Sequence, residues 1–185
     1  KGFDLNIPKA EFYFVFDYSE PVGLAVRSAP YANSFIGKFM GKAAHAGGEP
    51  EKGISAIQAM ALAISQMPLG RIDLETTANI GIVSGGSATN IIPPYAEMKG
   101  EARSRNLVKL DRQTQAMIHT SEEAAIAIGA KAETEAHREY EGYSLEENDP
   151  IIQLARKAMK EIQLELRLVD AGGASDANVF MEKGK

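Results

Sequence analysis

The residue best suited to chemistry is a histidine, His45, which lies in the stretch GKAAHAGGEPEKG at residues 41–53. The glycines and alanines around it let another backbone or a ligand approach closely, and Pro50 followed by Glu51 suits a first helical turn. We therefore expect the imidazole at the mouth of an element, where it can donate a hydrogen bond to a developing oxyanion. The alternative is a loop histidine bonded to a backbone carbonyl.

Two other residues stand where α/β and loop structures place functional groups. Asp17 follows the apolar run EFYFVF at residues 11–16, so it falls at the end of an expected strand, where a carboxylate could bind a metal ion or orient a base. Asn90 lies between a Gly-Gly pair and a Pro-Pro pair, and its amide can both donate and accept. Each could instead be an ordinary turn residue.

The remaining candidates are a strand arginine and a glycine-rich turn. Arg103 could grip a carboxylate through two parallel hydrogen bonds, with Arg105 as the weaker candidate. The alternation of Arg103 with Glu101 and Lys99 on one face of an expected strand is also what a solvated strand face would show. The sequence GGASDAN at residues 172–178 could bind an anion at a helix start, or Ser175 or Asp176 could simply cap that helix.

These segments together resemble the aminoacylase/carboxypeptidase-type zinc peptidases, and among them the peptidase T-like tripeptidases most of all. The His45 stretch is similar to the family's Ala-His-(Ala/Pro)-Gly-x-x-(Pro)-Glu-x-Gly segment, and residues 17–23 are similar to its Asp-Gly-x-x-x-x-Gly stretch. Residues 90–93 resemble its Asn-x-x-Pro loop. Residues 172–178 resemble its Gly-Gly-(Ser/Thr)-Asp-(Ala/Gly) loop, with Ala174 as one additional residue.

The resemblance assigns a role to each matching residue. It implies that Asp17 is a metal ligand and that His45 is catalytic, reaching across a dimer into the partner's active site. It also implies that Asn90 touches substrate, that Arg103 recognises the substrate's terminal carboxylate, and that Asp176 lies beside the active site. We expect Asp17, His45, Asn90 and Arg103 to converge on one pocket once two copies of the parent protein assemble.

The implied parent is a homodimeric aminopeptidase that removes a residue from short peptides with two bridged metal ions, zinc or alternatively cobalt or manganese. The family's His-x-Asp motif, Glu-Glu pair and final ligand histidine are not found in these residues. We therefore expect a fragment that by itself binds no metal and is inactive. Two alternatives remain: an amidohydrolase of the same family acting on N-acyl amino acids, and a non-catalytic ferredoxin-like dimerisation or ligand-binding module.

The composition excludes several function classes. The chain has 185 residues, a net charge of −5 and a pI near 5.3, which argues against a nucleic-acid partner or an anionic membrane surface. It contains no cysteine, so disulfides and thiolate metal sites are excluded. No apolar run is long enough for a membrane span and nothing resembles a signal peptide, so we expect a cytoplasmic protein.

The order of predicted elements gives the fold class. A β-α-β-β-α-β series over residues 31–139 predicts a ferredoxin-like, split βαβ domain of the α+β class, with an antiparallel sheet and two helices. Its predicted elements are a strand from Tyr31, a helix over 51–66, strands over 76–83 and 95–103, a helix over 108–128 ended by Gly129, and an edge strand over 131–139. We expect residues 29–139 to form this lid, inserted in an incomplete α/β domain made of residues 1–28 and 140–185.

Further predictions concern the buried and apolar faces, the flanking elements and the other two histidines. The run at residues 11–16 predicts a strand buried on both faces. Ile54, Ile57, Ala61 and Ile64 predict a single apolar face of the first lid helix. Alternation places Ala78, Ile80 and Ile82 on one side of the following strand. In the flanks we expect a strand over 24–27, a helix from 149–150, a strand over 166–169 and a helix start at 175–176. His119 and His137 are expected to be solvated.

Overall fold

The computed structural model of the chain describes residues 10–19 and 21–183. They form two compact units, one made of residues up to Tyr31 and from Tyr140 onward, the other of Ala32–Glu139. In chain order the elements are β1 (Leu24–Ala29), β2 (Tyr31–Met40), α1 (Ala56–Gln66), β3 (Gly70–Arg71), β4 (Thr76–Gly85), β5 (Tyr95–Ser104), α2 (Leu107–Ile128), β6 (Lys131–Tyr140), β7 (Tyr143–Ser144), α3 (Pro150–Glu161), β8 (Arg167–Asp170) and α4 (Asp176–Glu182).

The larger unit is an α+β structure, as predicted: a five-stranded sheet in the order β3-β4-β5-β2-β6 with α1 and α2 packed against it. Antiparallel pairing joins β3 to β4 and β4 to β5. Residues of β2 and β5 alternate between buried and partly exposed positions, because successive side chains of a strand point to opposite faces. The core between sheet and helices contains the fully buried side chains of Phe35, Phe39, Met98, Leu110 and Met117.

The two helices of this unit begin and end at clear signals. Asn106 caps α2 by accepting from the Lys109 N–H, and α2 ends at Gly129, whose φ of 76° is left-handed, a conformation that favours glycine. The first helix begins later than predicted. Pro50 opens only a short 3₁₀ turn, Gly53 is extended, and α1 starts at Ala56 behind the side-chain cap of Ser55.

The predicted apolar face of α1 is not the face that the core buries. Ala56, Ala59, Met60 and Ala63 are the buried residues of this helix. Ile57 and Ala61 are exposed, and Ile64 is only half-buried. A second correction lies in β4, where the pairing register shifts between Ile80 and Ile82. The extra residue turns Ile82 to the opposite face from Ile80, so the predicted alignment of these two is wrong.

The smaller unit holds a three-stranded sheet in the order β7-β1-β8, in which β1 is antiparallel to β7 and parallel to β8. The strand predicted over residues 11–16 is not formed. Of the aromatic side chains in this segment, Tyr13 stacks on Phe180 of α4 with the ring centroids 4.9 Å apart, whereas Phe16 is 96% exposed. The buried Asn178 side chain donates to the carbonyls of Pro30 and Glu141.

Candidate functional site

Backbone pairing beyond the ends of β2 and β5 fixes the position of His45. Lys42 pairs with Ile54, and His45 pairs with Ile91, each as an antiparallel bridge. The Ala46 N–H donates to the Asn90 carbonyl at 2.9 Å, and the Ile92 N–H donates to the Ala44 carbonyl at 2.9 Å. His45 and Asn90 are therefore neighbours in the structure, and both are exposed.

The His45 side chain is oriented by the turn that follows it. Its Nδ1 accepts hydrogen bonds from the Gly47 N–H at 3.1 Å and the Gly48 N–H at 3.0 Å. No described residue hydrogen-bonds to its Nε2. The imidazole consequently presents Nε2 outward, where it can meet a group from another molecule.

Arg103 lies on the face of the sheet opposite the helices. Its neighbours along β5, Ala102 and Ser104, are buried, and Thr77 of β4 is its cross-strand partner. The guanidinium Nη2 donates to Glu101 Oε2 at 2.8 Å, and this ion pair is partly exposed. The arginine is therefore accessible to a carboxylate ligand but already holds a carboxylate of its own strand.

The structure separates Arg103 from His45. The bridge between His45 and Ile91 lies beyond the start of β5 at Tyr95, whereas Arg103 is eight residues along that strand, about 26 Å away at the rise of an extended chain. Arg105 lies at the same distant end, where its N–H donates to the Glu75 carbonyl. One small substrate cannot touch His45 and Arg103 of the same copy.

Ion pairs organise the Arg103 end. The Lys109 ammonium contacts both Asp73 and Glu75. Asp73 Oδ1 also accepts the N–H groups of Glu75 and Thr76, at 2.9 and 2.8 Å. These hydrogen bonds, with the lysine, lower the pKa of Asp73 from 3.8 to about 2. The contacts with Glu75 and Asp73 raise the pKa of Lys109, so Asp73 and Lys109 both favour their charged forms.

The other two histidines are exposed, as predicted. The His119 Nε2 lies 3.1 Å from Glu123, and that of His137 lies 3.9 Å from Glu135. Across residues 10–19 and 21–183, no three histidine, aspartate or glutamate side chains are grouped closely enough to hold a metal ion.

Asp17 and the glycine-rich turn belong to the smaller unit, where they line one cavity. It has a volume of about 330 Å³, and its walls include Asp17, residues 171–175 and apolar side chains of α3. Ser175 is the N-cap of α4, and its hydroxyl accepts from Ala177. Asp176 is exposed in the first turn of that helix. Asp17 supplies one carboxylate there, which alone does not make a metal site.

Sequence reasoning did not identify which groups orient the side chains of His45 and Arg103. The two glycine N–H donors to His45 carry no side-chain signal, and only a turn prediction around residues 45–48 would have found them. The contact between Glu101 and Arg103 could have been predicted, because residues i and i+2 of a strand share a face.

In the described residues, no helix is both long and apolar enough to span a membrane.

Comparison with known proteins places the chain in context. The family model described as a peptidase dimerisation domain, M20_dimer, matches residues 32–128. The uncharacterized protein YqjE of Bacillus subtilis is 42% identical over 184 residues, covering 100% of this chain and 50% of YqjE.

Two solved structures are also similar over most of the chain. A tripeptidase from Staphylococcus aureus superposes with a TM-score of 0.92 at 35% identity, over 98% of this chain and 48% of that one. The aminopeptidase PepT from Bacillus cereus gives a TM-score of 0.85 at 40% identity, over 91% and 45%. The chain spans half the length of YqjE and slightly less than half of these two structures.

Proposed function

The chain belongs to the M20 peptidase family, and on that premise we propose that it is the dimerising lid, with adjoining catalytic-domain segments, of a metal-dependent aminopeptidase for short peptides. The observation that carries the proposal is the exposed imidazole of His45 beside Asn90, on a domain built to pair with a second copy. Two divalent metal ions, zinc or alternatively cobalt or manganese, would be held by Asp17 together with ligands supplied outside the described residues.

The distance between His45 and Arg103 decides how the lid contributes. Since about 26 Å of strand separates Arg103 from the start of β5, a tripeptide bound to Arg103 must receive His45 from the partner subunit. Asn90 would arrive with that histidine, because the backbones of the two residues are paired. Each active site would thus combine Arg103 of one subunit with His45 and Asn90 of the other.

The chemistry of each group fits such a site. The Arg103 guanidinium can hold the terminal carboxylate of a peptide with two hydrogen bonds. The outward Nε2 of His45 can donate to the oxygen that becomes negative when the peptide carbonyl is attacked. The Asn90 amide can hydrogen-bond the substrate backbone as donor and acceptor. These residues bind and orient, and none of them supplies the attacking water.

Mixing two inactive variants of the full-length protein tests this arrangement. His45→Ala and Arg103→Ala should each lose activity on tripeptides. A heterodimer of the two contains one complete site, formed by Arg103 of the first subunit and His45 of the second. Random exchange of subunits should therefore restore about one quarter of wild-type turnover, since half the dimers are mixed and each has one good site.

Asn90→Ala supplies the matched control. It should be complemented by Arg103→Ala but not by His45→Ala, because Asn90 and His45 would come from the same subunit. Absence of any recovery in verified heterodimers would contradict the shared site. Turnover of N-acyl amino acids in place of tripeptides would assign the parent to the amidohydrolases, and an inactive full-length protein with divalent metal would favour the non-catalytic module.

We place the homodimer contact on the outer edge of β4 and the neighbouring face of α1. In the described chain, β3 pairs only with Thr77 and Ala78, so the edge from Asn79 to Gly85 has no ladder partner. Ile82 and Val83 are exposed there. Ile57 of α1 lies next to Gly85 and Gly86, which joins the exposed apolar face of the helix to this edge.

The opposite edge of the sheet is a poorer candidate. The exposed side of β6 has Lys131 and Glu133 as an ion pair, and Glu135 paired with Lys38. Charged edges oppose strand addition, whereas an apolar edge beside an apolar helix face favours it. A second copy added antiparallel to β4 would extend the sheet across a twofold axis.

Sedimentation of the 185-residue chain checks the contact. Wild type should be a dimer at micromolar concentration, and Ile82→Lys should shift it to monomer. Ile126→Lys is the control, because Ile126 is also exposed but lies on α2. A monomeric wild type, or equal effects of the two substitutions, would contradict the assignment.

A further inference from the structure

The hydrogen bonds at His45 fix more than its orientation. A neutral imidazole carries one hydrogen, on either Nδ1 or Nε2. The Gly47 and Gly48 N–H groups both point at Nδ1, at 3.1 and 3.0 Å. Nδ1 must therefore act as the acceptor with its lone pair, and the hydrogen must reside on Nε2.

The turn geometry explains why two donors reach the same nitrogen. The His45 carbonyl accepts from the Gly48 and Glu49 N–H groups, which closes the chain tightly after the histidine. Gly48 shares its N–H between that carbonyl at 3.2 Å and Nδ1, and the Gly47 N–H is directed to Nδ1. The backbone amides, rather than any side chain, thus set the ring.

We propose that the N–H groups of Gly47 and Gly48 are positioning groups that hold His45 in the Nε2–H tautomer, making it a dedicated hydrogen-bond donor to the substrate oxygen. This inference rests on the proposed function for the donor role, but the tautomer itself does not. A ring held this way offers N–H outward and keeps its lone pair inside the turn. His45 therefore donates to an oxyanion and does not serve as a general base.

Substitutions at Gly47 show whether the backbone N–H of this residue or its small size holds the imidazole. A Cβ on Gly47 would lie 3.6 Å from the His45 Cε1, which is an ordinary contact. Gly47→Ala keeps the N–H and should leave the tautomer unchanged. Gly47→Pro removes that N–H and should weaken the preference, provided that the amide spectrum of the rest of the domain is retained.

Ring ¹⁵N NMR of the 185-residue chain reads the tautomer without catalysis. The chain has only three histidines, so the signals can be assigned by substituting His119 and His137 in turn. In its neutral form, His45 should show hydrogen on Nε2 and none on Nδ1, and its ring signals should differ from the averaged signals of the same chain in denaturant. The wild-type spectrum alone decides this if Gly47→Pro fails to fold: averaged signals, or hydrogen on Nδ1, would overturn the proposal.

Activity of the full-length protein tests the donor role. The His45→Asn oxygen can still accept from the turn, but it places no N–H at the Nε2 position, so kcat should fall about 100- to 1000-fold, as for other oxyanion donors. His45→Gln places an amide N–H near the Nε2 position and should recover part of that loss. A locked tautomer with unchanged kcat in His45→Asn would overturn the donor role while leaving the tautomer assignment intact. Equal losses in the Asn and Gln variants would also overturn the donor role.

Discussion

The two ends of β5 hold their functional side chains by different means. At the His45 end, backbone hydrogen bonds define the position through the pairs formed by Lys42 with Ile54 and by His45 with Ile91. At the Arg103 end, ion pairs do so, through Glu101 and through Lys109 with its carboxylates. Backbone pairs tolerate side-chain replacement but not crowding, whereas surface ion pairs respond to pH and salt.

The largest effect should come from crowding the His45 end at Gly41. A Cβ there would lie 2.0 Å from the Ile54 carbonyl oxygen, which accepts from the Lys42 N–H. Gly41→Ala must push the two segments apart, and we expect it to lower the free energy of unfolding by about 3 kcal/mol, as overpacking does. Urea unfolding of the 185-residue chain measures this loss.

Gly47→Ala is the control for that substitution. Its Cβ would meet only ordinary contacts with the imidazole, so stability should change little. If Gly41→Ala were as stable as wild type, the segment at residues 54–56 would have to be easily displaced. The view that backbone pairing fixes the His45 end would then be wrong.

A smaller effect is expected at the other end, from Glu101→Gln. The Glu101 carboxylate contacts the Arg103 guanidinium at 2.8 Å, so a substrate carboxylate must compete with it. Removing one charge of a partly exposed pair should lower KM for tripeptides roughly 2- to 5-fold, since such pairs contribute up to about 1 kcal/mol. Steady-state kinetics of the full-length protein measure the change.

A C-terminally amidated tripeptide sharpens the Glu101 experiment. It lacks the carboxylate for which Glu101 and substrate compete, so Glu101→Gln should leave its KM unchanged. An equal change for acid and amide would show that Glu101 acts through the fold of β5. A higher KM for the acid would mean that the glutamate orients Arg103 for substrate instead of competing with it.

The two ends also differ in how far sequence reasoning could reach. Alternation along β5 is read directly from residue order, and it placed Arg103 and Glu101 on one face correctly. The lid topology and the glycine end of α2 were equally visible, because both depend on local signals. The roles assigned to Asp17, His45, Asn90, Arg103 and Asp176 remain predictions.

What the sequence did not reveal has physical causes. Helical periodicity shows that Ile57, Ala61 and Ile64 share a face, but it cannot show whether the chain's own core or a second copy covers that face. The irregular pairing between Ile80 and Ile82 exchanges the two faces to which the side chains of the later half of β4 point, and the residue order carries no clear pattern that reveals this shift. The apolar run at residues 11–16 satisfies strand propensity, yet a strand also requires a neighbour to complete its hydrogen bonds.

The smallest predicted effect is the pH response of the Arg103 end, tested by Asp73→Asn. The fold lowers the pKa of Asp73 to about 2 because its carboxylate accepts two backbone N–H groups and contacts Lys109. The charged form is favoured in the native state, so its stabilising contribution is complete above the ordinary pKa of 3.8. It declines as the pH falls through about 2, since the unfolded chain takes up the proton first.

Urea unfolding at pH 7, 4, 3 and 2 should therefore show wild type more stable than Asp73→Asn at pH 7, with the gap closing toward pH 2. Asp111→Asn removes the same charge from an exposed position on α2 and controls for net charge. Added salt should narrow the Asp73 gap only in part, because salt screens Lys109 but leaves the backbone hydrogen bonds in place. A gap that is constant with pH would mean that Asp73 acts through geometry alone, and the Arg103 end would then be held by the same means as the His45 end.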